Sequence, residues 1–261
     1  MNTAIEAIFI DLGNTLRILI KDEAHMAAAR RKITELVGSD EDPEAFCAKL
    51  DARYKVYRKW AFDNMVEAPE SELWTRWLAP EFPAEKIGPL GVELTFQFRQ
   101  SMGRRVVVEH GKEVVQTLHQ RGYVLGIISN VITSQEIPDW MEEDGFAPYF
   151  KSVVLSSVFG KRKPDPAIYF EAARLAGVEP ARCVYVGDNL KRDVTGTRAA
   201  GFGMVVILMA PEELAEAQAN GTLTDENRPD IIIHEFKQLL DIFPGEHQAR
   251  IPDLLTHEGT A

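Results

Sequence analysis

Six short apolar runs, most of them followed by a segment of helical period, constrain this chain more than any other feature. The runs are Ala7–Ile10, Tyr123–Ile128, Ser152–Leu155, Cys183–Val186, Met204–Leu208 and Ile231–Ile233. A continuous apolar strand has both faces to bury, which a parallel sheet covered by helices provides. Helical spacing fills Lys112–Gln120, Ile137–Asp144, Pro166–Ala176, Lys191–Ala200 and Glu235–Ile242. Strands alternating with helices of this length predict right-handed βαβ units, and so an α/β fold.

The stretch from about Arg17 to Arg105 breaks that alternation. It is rich in Ala, Glu, Lys, Arg, Trp and Phe and reads as successive amphipathic helices over Asp22–Leu36, Pro43–Phe62, Glu70–Trp77 and Leu90–Ser101, with no strand between them. A helical block inserted after the first strand reads as an all-helical cap beside a Rossmann-like parallel-sheet core. The expected division is residues 1–16 and 106–261 for the core and 17–105 for the cap, with residues 245–261 as a loose tail. Tyr54, Tyr57 and Trp60 recur at helical spacing and are expected to pack the cap's own interior. The expected state is a monomer or a homodimer, and Trp74, Trp77 and Phe96 leave apolar area that could serve the dimer.

With 261 residues the chain can bury a substantial core. Its formal net charge of -11 and its lack of a strongly basic run make nucleic acid and membrane surfaces poor partners. A local phosphate site needs only one or two cations and a few N–H groups, so it stays open. Cys47 and Cys183 lack metal-ligand spacing, and Cys183 lies in an apolar run as a small buried hydrophobe would. The opening residues carry no charged-then-apolar leader, and no stretch reaches membrane-span length, so a cytoplasmic location is expected.

Ligands of open parallel sheets bind beyond the carboxyl ends of the strands. The first run ends at Asp11, the second at Ser129-Asn130, and the run from Cys183 at Gly187-Asp188-Asn189. Lys163, in Lys161-Arg162-Lys163-Pro164-Asp165-Pro166, lies just before a helix. Two facing carboxylates repel unless a cation lies between them, which favours a hard divalent ion with oxygen ligands. Plainer readings stand beside this one. A strand-end Asp or Ser can cap the next turn, Asp193 can serve the helix dipole, and Lys161 to Lys163 can be a solvated loop.

Four motifs occur in order: Asp11-Leu12-Gly13-Asn14-Thr15-Leu16, Gly126-Ile127-Ile128-Ser129-Asn130, Lys163-Pro164-Asp165-Pro166 and Gly187-Asp188-Asn189-Leu190-Lys191-Arg192-Asp193. Together they make the chain resemble the haloacid dehalogenase-like hydrolase superfamily over nearly its whole length. The resemblance implies that Asp11 is a nucleophile on phosphorus, forming an aspartyl-phosphate that water hydrolyses. It implies Mg2+ held by Asp11, the Gly13 carbonyl and Asp188, with Asp193 and Asn189 supporting that site from behind. Ser129 and the Asn130 N–H would grip phosphate oxygens while Lys163 offsets charge on the nucleophile and phosphoryl group.

One position departs from the family. Most phosphatases of this kind carry a second Asp two residues after the nucleophile, as general acid and base, and here that residue is Gly13. Acid–base help is worth about 10²–10⁴-fold. The first expectation is a magnesium-dependent phosphatase of a small phosphorylated metabolite, a sugar phosphate or similar, whose leaving group needs little protonation. The alternatives are a dehalogenase or phosphonate-cleaving relative, the latter with Lys49, Lys55 or Lys59 as the candidate amine, and a catalytically weak member that binds a phosphorylated ligand.

Overall fold

The computed structural model describes residues 4–245, so residues 246–261 of the expected tail lie outside the described residues. All six apolar runs are strands. They are β1 (Ala7–Ile10), then, after the ribbon strands β2 (Arg17–Ile20) and β3 (Arg104–Val107), β4 (Val124–Ser129), β5 (Phe150–Leu155), β6 (Cys183–Gly187), β7 (Met204–Leu208) and β8 (Ile231–Ile233). The sheet order is β5-β4-β1-β6-β7-β8, every pair parallel. The chain winds outward from β1 through β4 to β5 and then crosses back to β6. The direction reverses beside β1, and that crevice is where such sheets take ligands.

Alternation along β1 assigns its side chains to two cores. Ile8 and Ile10 face a cluster with Leu125, Val184 and Val206, whereas Ala7 and Phe9 face Tyr169, Tyr185 and Phe202. The helices of the chain are α1 (Glu23–Val37), α2 (Pro43–Asn64), α3 (Gly91–Ser101), α4 (Gly111–Gln120), α5 (Glu136–Glu143), α6 (Pro166–Ala176), α7 (Leu190–Ala199) and α8 (Pro211–Ala219), besides several single turns. On the first face Val114, Val115 and Leu118 of α4 and Ile137, Trp140 and Met141 of α5 cover the sheet. On the other, α6 contributes Ile168, Tyr169 and Ala172, and α7 contributes Leu190 and Val194. Each such large side chain adds about 1.5–3 kcal/mol by leaving water. The result is an α/β Rossmann-like core with an inserted helical cap.

The cap helices α1, α2 and α3 have their own apolar interior. Tyr57 is fully buried, with its ring 6.1 Å from Tyr54 and 5.9 Å from Trp60, as the spacing predicts. Trp74 is also fully buried, its indole N–H donating to Thr95 Oγ1 at 2.9 Å. It therefore offers no free apolar area, and Trp77 packs beside it in the same interior. Phe96 stays partly exposed.

Other expectations need correction. The Arg17–Arg105 stretch is bounded by strands at both ends, because β2 and β3 pair antiparallel from Arg17↔Val107 to Ile20↔Arg104. Ile18, Leu19 and Ile20 are exposed, so neither strand carries the alternation of a half-buried sheet. Their pairing joins residues more than eighty positions apart, which local periodicity cannot register. The Glu70–Trp77 segment begins as one α-turn and continues as a π-helical stretch over Leu73–Leu78. Glu235–Ile242 is a 3₁₀ turn at Phe236–Gln238 followed by Leu239–Ile242. Among the described residues no helix is long and apolar enough to cross a membrane.

Candidate active site

β1 delivers Asp11 to the crevice. The Asp11 N–H still donates to Val186 O at 2.9 Å, so the chain leaves the sheet only after this residue. The carboxylate is 4% exposed and held at both oxygens. Oδ1 accepts from the Leu12 N–H and from Ser129 Oγ, each at 2.8 Å, and Oδ2 accepts from Lys163 Nζ at 2.7 Å. Ser129, at the end of the neighbouring strand β4, thus reaches Asp11 through its hydroxyl.

Lys163 is 1% exposed and needs its charge matched. Its Nζ pairs with Asp11 and lies 3.3 Å from Asp193 Oδ1. It also donates to Tyr185 Oη, whose own hydroxyl donates to Ile128 O at 3.1 Å. The Asn130 side chain holds the lysine's backbone from both sides. Its Oδ1 accepts from Lys163 N at 2.8 Å and its Nδ2 donates to Lys163 O at 3.0 Å. Asn130 therefore fixes the place of the lysine through its side chain.

Asp193 sits in the first turn of α7 and is fully buried. Its Oδ2 accepts the N–H groups of Asp188 and Asn189 at 3.2 and 3.0 Å. A Cβ at position 187 would strike this carboxylate, so Gly187 is what permits the close approach. Burial raises the Asp193 carboxyl, but Lys163 and Arg192 outweigh it and hold the group down at about 2. Asp188 goes the other way, raised by burial and by the facing Asp11 despite Arg192. Asn189 caps α7 by accepting the Arg192 N–H at 2.7 Å, so its side chain serves the helix and not the acids.

Carboxylate oxygens of Asp11, Asp188 and Asp193 all lie within 4.8 Å of one another. Arg192 reaches back from α7 into their midst. Its Nη2 is 3.0 Å from Asp11 Oδ2, 2.9 Å from Asp188 Oδ1 and 2.9 Å from Asp193 Oδ2. The place between the acids is therefore one where positive charge is stable, and the Arg192 guanidinium lies there. All-oxygen donors of this charge suit a hard divalent ion such as magnesium. Such an ion and the guanidinium repel, so the two are alternatives at that position.

The cavity over these groups has a volume of about 340 Å³. Gly13 lines it, and a Cβ at that position would meet open space, so the gap left by the missing acid is real room. Asn14, in left-handed backbone with φ 56°, turns its amide to Asp188 Oδ2 at 3.2 Å. Four further arginines, Arg17, Arg58, Arg99 and Arg105, line the cavity from the ribbon and the cap. Lys49, Lys55 and Lys59 are not among its lining residues, and Lys59 pairs with Asp63 at 2.6 Å on the surface.

Sequence reasoning gave no role to Arg192, Tyr185, Asn14, Arg17, Arg99 or Arg105. Helical spacing gave no signal for Arg192, because Asp188 lies before the helix that carries the arginine. Tyr185 shares its strand face with Gly187, and the alternation of β6 would have aimed it beneath the lysine.

A family model for haloacid dehalogenase-like hydrolases matches residues 5–201. The chain belongs to this family. As a member, this hydrolase is 33% identical over 135 residues to a glyceraldehyde 3-phosphate phosphatase of Methanopyrus kandleri, covering 50% of this chain and 54% of that protein. It thus spans about half the length of that relative. It is 25% identical over 240 residues to a phosphoglycolate phosphatase of Vibrio vulnificus, covering 91% of this chain and 96% of that one. In fold it is similar to a 2-haloacid dehalogenase from Pseudomonas syringae pv. Tomato, at TM-score 0.63 and 21% identity over 91% of this chain and 97% of that one.

Proposed function

We propose that this hydrolase is a magnesium-dependent phosphatase of a small phosphorylated metabolite, with Asp11 as the nucleophile. The single observation that carries the reading is the Asp11 carboxylate, held at both oxygens at the mouth of a cavity and grouped with Asp188, Asp193 and Lys163. The similarity to phosphatases of phosphorylated metabolites supports the same substrate class. In this reading residues 17–105 form the cap that selects substrate, and the described residues of 1–16 and 106–261 form the core.

Asp11, Asp188 and the Gly13 carbonyl would hold the divalent ion, which supplies charge neutralisation between nucleophile and phosphoryl oxygens. An Asp11 oxygen attacks phosphorus, the bond from phosphorus to the ester oxygen breaks, and the electron pair leaves with that oxygen. Lys163 offsets the charge gathering on the phosphoryl group, kept in place by Asn130, Tyr185 and Asp193. Ser129 fixes the orientation of Asp11, and the Asn130 N–H would donate to a phosphate oxygen. Water then hydrolyses the acyl phosphate and regenerates Asp11. Gly13 gives no proton to the leaving oxygen, so esters with good leaving groups are favoured.

The test is magnesium-dependent hydrolysis of p-nitrophenyl phosphate by wild type and Asp11→Asn. The expected result is a loss on the order of 10⁴-fold or more in the variant. Wild-type turnover no greater than that of the variant sinks the reading. Halide release from a 2-haloacid, indifferent to chelator, would put a dehalogenase in its place.

A further inference from the structure

The arginines around Glu136 are too many for the acid they surround. Glu136 opens α5 and is buried. It accepts from Arg17 Nη1 at 3.3 Å, from Arg99 Nη2 at 3.3 Å and from Arg99 Nε. Arg105 donates to the Arg99 carbonyl at 2.9 Å, and among the described residues it has no carboxylate partner within ion-pair distance. Arg58, exposed on α2, likewise has none. The Nε of Arg17 is buried without a hydrogen-bond partner. On the far side Asp144 also acts on Arg17, but it bonds to the Trp140 indole and does not line this cavity.

These cations converge on the cavity that contains Asp11. Burial and then Arg99 push the Arg105 guanidinium down to about 10, so it keeps its charge at neutral pH while gaining from any added anion. Grouped, partly desolvated guanidiniums whose one hydrogen-bonded carboxylate is Glu136, with Asp144 and Glu70 acting from farther off, gain from further negative charge. The planar fork of arginine matches carboxylate and phosphate oxygens. A cavity of about 340 Å³ lies at the lower end of the range for sites that hold small organic molecules.

We propose that the cavity takes a small phosphate ester carrying a second anionic group, carboxylate or phosphate, held by Arg58, Arg99 and Arg105 while the ester phosphorus faces Asp11. The inference rests on the phosphatase reading for the position of the phosphorus. Arg58 and Arg99 come from the cap and Arg105 from the ribbon, so a substrate held this way bridges cap and core. The second anion acts on affinity and leaves the reacting bond untouched, so its effect belongs in KM.

The test uses the full chain with magnesium and two readouts. Calorimetry compares ω-carboxyalkyl phosphonates of two to four carbons with n-alkyl phosphonates of equal length, and propane-1,3-diyl bisphosphonate with propyl phosphonate. Kinetics compares the corresponding phosphate esters. The expected result is binding at least about tenfold tighter for one of the doubly anionic series, with the gain in kcat/KM residing in KM. The better series tells carboxylate from phosphate. Arg58→Met lies on an exposed helix face and should reduce the preference, and Arg105→Met should reduce it further. Equal binding of charged and neutral series, or a preference that both variants retain, overturns the proposal. If neither wild type nor Asp11→Asn hydrolyses p-nitrophenyl phosphate, the phosphatase reading fails alone, because the phosphonate affinities still decide the anion subsite.

Discussion

Two buried charge clusters near the meeting of cap and core differ in their balance. The first joins Glu67, just after α2, to Arg162, next to Lys163 in the core. Glu67 accepts from Arg162 Nη1, from Tyr57 Oη and from Ser156 Oγ, the last at 2.7 Å. Backbone bonds run alongside, from Glu67 N to Gly160 O at 3.0 Å and from Arg162 N to Met65 O at 3.1 Å. One carboxylate meets one guanidinium, and neither lines the cavity that holds Asp11. The second cluster sets Asp11, Asp188 and Asp193 against Lys163 and Arg192, and it opens into that cavity. A balanced buried pair serves the seam. An unbalanced one facing a cavity marks where a ligand's charge enters, as negative excess does for a cation at Asp11 and positive excess for an anion around Glu136.

The largest break in this comparison should come from Glu67→Ala. It strands Arg162 without its acid, and removing one member of a buried pair costs about 3–5 kcal/mol. The melting temperature should fall by several degrees in differential scanning calorimetry, while magnesium affinity changes little. An unchanged melting temperature would show that the pair does not hold the seam.

Gly13→Asp adds an acid to the open cluster, where a Cβ meets nothing. Stability should hold, and turnover of alkyl phosphates should rise by about 10²-fold if the missing proton donor limits them. No gain in steady-state kcat on such esters would place the proton source elsewhere.

Arg192→Asn removes the cation that stands between the three acids. Divalent-ion affinity, read by calorimetry with Mg2+ or Mn2+, should rise by about tenfold, the equivalent of one charge-assisted hydrogen bond. The metal-free variant should also melt below metal-free wild type, because its acids then repel uncompensated. Unchanged affinity would mean that the guanidinium and the ion do not compete.

The smallest effect expected is on the acid side of stability. Burial raises the Glu136 carboxyl, but Arg99, Arg105 and Arg17 together bring it below its ordinary 4.5. A folded value below the unfolded one gives stability that is present above pH 4.5 and lost as pH falls through the folded value. Melting temperature should therefore drop with acid below that point in wild type and drop less steeply in Glu136→Gln. Parallel curves would remove Glu136 from the account.

The sequence by itself determined the sheet and the outline of the site. Apolar runs marked β1 and β4 to β8 because burial on both faces leaves a local composition that needs no partner to be read. The motifs brought Asp11, Lys163, Asp188 and Asp193 together on paper for a related reason, each lying one step beyond a strand end or at a helix entrance. The space at Gly13 was legible as a missing side chain. Only the tertiary structure decided which charges balance. The β2–β3 ribbon, the gathering of Arg17, Arg99 and Arg105 around Glu136, and the pairing of Glu67 with Arg162 join residues far apart in the chain. Arg192 lies one place from Asp193, yet the direction its side chain takes was equally unreadable. Periodicity records which residues are buried, whereas the pairing of ions depends on where rigid elements cross in space, and a one-dimensional pattern carries no trace of that.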